Sequence, residues 1–103
     1  MNRILIATLA MLLVTGTAQA EQVTVHIENF TFNPAELTVK PGTTVVFDNA
    51  DDIPHSVVEK NGKFHSAALD TGQSFSMAFP DAGEIDYYCG LHPHMTGKII
   101  VKP

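Results

Sequence analysis

Residues Glu84–Lys102 read EIDYYCGLHPHMTGKIIVK, and the alternation within them sets the fold. In the first six residues Ile85, Tyr87 and Cys89 share one face of an extended chain, and Glu84, Asp86 and Tyr88 share the other. The acids must face water, so Cys89 points inward at the strand's end. In the last five residues Ile99 and Val101 take the core face while Lys98 and Lys102 point out. Two strands of period two thus flank a segment that carries the chain's single cysteine, two histidines and a methionine. The segment is expected to be a strand end running into a loop at one pole of a β structure.

Working outward, the same period recurs. In QVTVHI, Val23, Val25 and Ile27 alternate with polar residues; LTVK and TTVVFDN are β-branched and extended; QSFSMAF alternates Phe75, Met77 and Phe79. HSVVEK also reads as extended. FTFNPAE reads as a break, and Pro41-Gly42, Asn61-Gly62 and Pro80-Asp81-Ala82-Gly83 read as turns. Residues Ala67–Asp70 fit a loop or a single helical turn. No stretch has sustained helical periodicity. The expectation is an all-β, Greek-key sandwich of about seven or eight strands.

Residues 1–20 stand apart. MNR is basic, ILIATLAMLLV is apolar and Ala18-Gln19-Ala20 is a small-x-small cleavage pattern, the layout of a secretory signal peptide. The apolar run is shorter than the roughly 20 residues a membrane span needs. The expected mature chain is residues 21–103, one domain with a modest core. It is expected to lack stable membrane insertion after cleavage and to lie in the periplasm. Small exported domains supplement such a core with disulfides or a metal. Cys89 has no partner cysteine, so a metal is favoured. The full chain has a formal net charge of −5, and loss of Arg3 with the leader makes it more acidic, which argues against nucleic acid.

Cys89, His92 and Met95 are spaced Cys-x2-His-x2-Met. Thiolate, imidazole and thioether are soft donors and select copper over magnesium, calcium or manganese. Methionine is a poor partner for structural zinc. A second histidine would complete a His2Cys plane with an axial Met, the arrangement of blue-copper centres. His55, in DDIPHSVV, is the candidate. Were His94 the ligand in place of His92, Met95 would be its immediate neighbour, and the two side chains would struggle to converge on one ion. His94 is therefore read as facing solvent; His26, on the polar face of an expected edge region, and His65, near Phe64 in a loop, are also read as surface residues. Met77 is read as core filler, and Phe30, Phe32, Phe47, Phe64 and Tyr87 as packing with no special role. A Cys–His nucleophilic pair is disfavoured for lack of an oxyanion site or an orienting third group.

Three ordered motifs now resemble the cupredoxin family of type 1 copper proteins, closest to its amicyanin and plastocyanin branch. They are F-x-P-x-x-L-x-V-x-x-G-T-x-V from Phe32 to Val45, N-x-D-x-x-P-H-x-V from Asn49 to Val57, and Y-x-C-x-x-H-x-x-M-x-G-x-I-x-V from Tyr87 to Val101. The resemblance implies one type 1 copper ion cycling Cu(I)/Cu(II), held by His55, Cys89, His92 and Met95, with an edge of His92 exposed. It implies an electron carrier rather than an enzyme, monomeric, exchanging electrons with redox proteins such as an amine dehydrogenase and a c-type cytochrome. A copper storage or delivery module is the alternative. An apolar collar of Ile53, Pro54, Leu91 and Pro93 is expected around His92. Two residues depart from the family pattern. Ser56 replaces a common asparagine and is expected to keep its backbone bond to the thiolate while loosening side-chain ties to the ligand loop. Leu91 replaces proline and offers an N–H as a second donor to the Cys89 sulfur.

Overall fold

The computed structural model describes residues 21–103; the expected signal peptide, residues 1–20, lies outside them. Among the described residues eight strands form: β1 Gln22–Glu28, β2 Thr31–Asn33, β3 Glu36–Val39, β4 Thr43–Asn49, β5 Val58–Glu59, β6 Ser74–Phe79, β7 Gly83–Cys89 and β8 His92–Val101. They make two four-stranded sheets, β2-β1-β4-β6 and β3-β8-β7-β5, so the chain is an all-β sandwich. No helix among the described residues is long and apolar enough to cross a membrane.

The alternation read in the sequence becomes the interior. β4 is buried at every other position from Thr43 to Asn49, β1 contributes Val25 and Ile27, and β7 and β8 contribute Tyr87, Cys89, Ile99 and Val101. Phe32, Phe47 and Tyr87 meet edge to face at its centre, with ring centroids 4.8–6.5 Å apart. On the outer face of the β7–β8 pair, Lys98 Nζ lies 3.2 Å from Glu84 Oε1 and 3.9 Å from Asp86 Oδ1, as the parity of those strands requires.

Among the described residues only two connections stay within a sheet, the β1–β2 and β7–β8 hairpins; every other one crosses between sheets. Both hairpins depart from the sequence expectation. FTFNPAE is not simply a break: Thr31–Asn33 pairs antiparallel with His26–Glu28, across a two-residue turn with Asn29 at φ 52° and Phe30 at φ 57°. Two central residues of positive φ are what the right-handed twist of a tight hairpin demands. A non-glycine residue there costs about 1–2 kcal/mol. On the other side β8 begins at His92 rather than at Lys98, so the expected ligand loop shrinks to the turn Gly90-Leu91. A Cβ on Gly90 would lie 2.8 Å from Ser56 Oγ and 3.1 Å from Val58 Cγ2, so this tight turn needs glycine for close approach.

Smaller differences follow from pairing. HSVVEK is strand only at Val58–Glu59. His55 instead forms an isolated bridge with Leu69, which also shows that Ala67–Asp70 is no helical turn. His26 is exposed as expected, but β1 is paired on both sides, with β2 and β4, and is no edge.

Candidate metal centre

The four sequence candidates come from two places in the chain. Cys89 ends β7 and is fully buried. His92 opens β8, directly opposite it in register and half-buried. Three residues further along β8, Met95 is buried, while His94 between them is exposed. His55 enters from the loop after β4, with no exposed surface. Its backbone is fixed on both sides: its N–H donates to Leu69 O at 3.1 Å, and Leu69 N–H donates back to His55 O at 2.7 Å.

The donor atoms converge. His55 Nδ1 and His92 Nδ1 each lie 3.6 Å from Cys89 Sγ, and one ligand atom from each of the three residues lies within 4.8 Å of the other two. Lengths of about 2.0–2.1 Å to imidazole and about 2.3 Å to thiolate, typical of a first-row ion such as zinc, put two such donors about 3.6–3.8 Å apart for angles between tetrahedral and trigonal. The spacing therefore fits a single ion. The donor chemistry, two imidazoles and a thiolate with a buried thioether on the same strand, fits copper.

The second motif has a structural cause that the sequence did not disclose. Asn49 is buried and its Nδ2 donates to Ile53 O at 2.9 Å and Leu69 O at 2.8 Å, stapling the loop that delivers His55. Asn49 Oδ1 accepts from the Asp51 N–H at 2.9 Å, and Thr71 Oγ1 donates to Asp51 O at 2.6 Å. So held, Asp51 Oδ2 stands 2.9 Å from His55 Nε2. A carboxylate can only accept, so Nε2 carries the proton and the Nδ1 lone pair is left for the ion. The hydrogen bond from His55, and next that from the Phe30 N–H, hold the Asp51 carboxyl below its usual 3.8. Asp51→Asn keeps an acceptor but removes the charge. It is expected to weaken Cu(II) binding by 10–100-fold, the range for such outer partners. Cu(I) should suffer less, so the potential rises, by about 59 mV for each tenfold difference. Voltammetry of the two proteins checks this, and a potential equal to or below wild type would refute it.

The two departures from the family pattern resolve differently. The Ser56 N–H does donate to Cys89 Sγ, at 3.4 Å. Contrary to expectation its side chain also keeps a tie to the ligand hairpin, since Ser56 Oγ accepts from the Gly90 N–H at 2.9 Å. The shorter side chain suffices because Gly90 lets the backbones approach. The second sulfur donor expected from Leu91 is not formed: among the described residues Ser56 supplies the N–H on that sulfur. Leu91 instead points outward and is half exposed. It and Phe30 are the large hydrophobic residues most open to solvent among those described. Phe30 also corrects the expectation of simple packing, because its ring stands perpendicular to those of both His55 and His92 in T-shaped contact. Ile53 is half-buried and Pro54 and Pro93 are exposed.

A β-sandwich whose pole gathers a buried thiolate, two imidazoles and a neighbouring thioether is the architecture of the cupredoxins, and the chain belongs to that family: the cupredoxin-like domain matches residues 3–101. Among its relatives is amicyanin from Paracoccus versutus, 36% identical over 88 residues that take in 81% of this chain and 67% of that protein. An amicyanin variant solved in a reduced Cu(I) form superposes with a TM-score of 0.73 at 31% identity, covering 84% of this chain and 86% of that one. A purple cupredoxin from Nitrosopumilus maritimus gives 0.72 at 32%, covering 78% and 99%.

Proposed function

We propose that this chain is an exported blue-copper electron carrier, with one copper ion held by His55, Cys89, His92 and Met95. The observation that carries this reading is the convergence of His55, Cys89 and His92 within 4.8 Å beneath a surface where Phe30 and Leu91 are exposed. Bound there, copper supplies a one-electron Cu(II)/Cu(I) couple. The chain's own residues do the rest. His55 is locked by Asp51 and by its backbone bridge to Leu69, and Cys89 by the Ser56 amide, so the donors need not rearrange when charge changes. His92 is the ligand that reaches the surface, and electrons leave by its edge. The apolar residues beside it suit brief docking over a small interface.

The reading extends to residues 1–20 as a cleaved signal, residues 21–103 as the single copper-binding domain, a periplasmic location and a monomeric carrier. Its partners are redox proteins, with an amine dehydrogenase as donor and a c-type cytochrome as acceptor by family resemblance. The visible and EPR spectra of the copper-loaded protein test it. An intense blue band that bleaches and returns on reversible one-electron cycling is expected. A colourless protein that binds only Cu(I) and passes it to an acceptor would assign copper delivery instead.

A further inference from the structure

The β1–β2 turn holds a residue that burial does not explain. Phe30 sits at φ 57°, directly after Asn29 at φ 52°, and is 54% exposed. Left-handed backbone at a bulky side chain is rare and persists only where surrounding structure enforces it, often at functional sites. Here the enforcement is visible. The Phe30 N–H donates to Asp51 Oδ2 at 3.1 Å, the same oxygen that stands 2.9 Å from His55 Nε2. The ring so presented meets both imidazoles: its centroid lies 5.1 Å from that of His92 and 5.7 Å from that of His55, with interplanar angles of 89° and 90°. These are edge-to-face contacts of the favourable kind. His55 has other restraints, but His92 opens a strand after a two-residue turn and is part-exposed.

We propose that Phe30 is a positioning residue of the metal centre. Carried by a left-handed turn that Asp51 pins, its ring walls the two ligand imidazoles on the solvent side. It confines His92 to its ligating orientation and keeps water and small competing ligands from the ion. The apolar shell around a metal site controls such access. This rests on the copper reading above, and the test separates the two.

Phe30→Gly removes the ring and leaves an Asn-Gly pair, the dipeptide most favoured in such a hairpin. The metal-free variant is therefore expected to melt at or above the wild-type temperature. Its copper should nevertheless be stripped by excess EDTA at least tenfold faster, and Phe30→Tyr should restore the wild-type rate to within twofold. In the metal-free protein, side-chain NMR should show the His92 ring averaging over orientations in Phe30→Gly but not in wild type. Stripping within twofold of wild type, or equal ring averaging in both metal-free proteins, would overturn the proposal. So would faster stripping accompanied by a lower melting temperature, which marks general loosening. Failure of the wild type to take up copper would count against the copper reading alone, and the metal-free NMR comparison would still decide the role of Phe30.

Discussion

Cys89→Ala is expected to abolish the intense visible absorption of the copper-loaded protein and to weaken Cu(II) binding by more than a hundredfold. Loss of a mere outer hydrogen-bonding partner already costs about 10–100-fold, and Cys89 is no outer partner. Its sulfur lies 3.6 Å from Nδ1 of both imidazoles, and it accepts the Ser56 amide at 3.4 Å. Without it two histidines and a methionine remain, too few donors to repay the dehydration of a copper ion. The fold should survive, because the deleted volume is that of a small buried group worth about 0.8 kcal/mol by the scale of a methylene. Chelator competition and absorption spectra read the binding; thermal melting of the metal-free forms reads the fold. A blue band of wild-type intensity in Cys89→Ala would place the copper elsewhere and sink the assignment of the centre.

How much of this was legible beforehand depends on whether the signal is local. The parity of β7 placed Cys89 inward because alternating acids leave no other choice, and the burial of Tyr87 and Cys89 against the exposure of Glu84 agrees. His55 could be named because only one further imidazole was needed and the family motif supplies it. By contrast β2 was hidden, since the hairpin before it turns through Asn29 and Phe30 and no propensity marks a phenylalanine for positive φ. The start of β8 was hidden because Pro93 and two histidines do not look like strand. Asp51 was visible only as a motif position. Its work depends on Asn49 and His55, two and four residues away, and on Phe30 and Thr71, 21 and 20 residues away, which reach it only once the chain has folded. The two hairpins that stay within a sheet, one from each, supply Phe30 and His92, so the site is finished by the packing of the sandwich.

That dependence makes Gly97→Ala the substitution with the largest expected effect on stability. Gly97 lies opposite Tyr87 in the β7–β8 register, and the tyrosine ring lies across it. A Cβ there would stand 2.7 Å from Tyr87 Cε2 and would also overlap Cζ and the hydroxyl oxygen. The ring has nowhere to go, held edge to face by Phe32 at 4.8 Å and Phe47 at 5.2 Å. Overpacking usually costs 1–3 kcal/mol; a methyl against a rigid buried ring belongs at about 3 kcal/mol or above, a fall of roughly 12–24 °C in melting temperature for a domain of this size. Because Tyr87 is two residues before Cys89 and Gly97 two after Met95, the strain is also expected to disturb the donors and weaken the blue band. Tyr87 itself supplies the control. Its hydroxyl is buried without a hydrogen-bond partner among the described residues, and burial pushes its pKa far up, so it stays neutral. An unsatisfied buried polar group costs about 1–3 kcal/mol, so Tyr87→Phe alone should leave stability equal or higher. In the Gly97→Ala background it should recover part of the loss, because it deletes one of the clashing atoms. A double-mutant cycle measures this coupling. Simple additivity, or a Gly97→Ala protein that melts like wild type, would show that the ring and the glycine are not locked together as described.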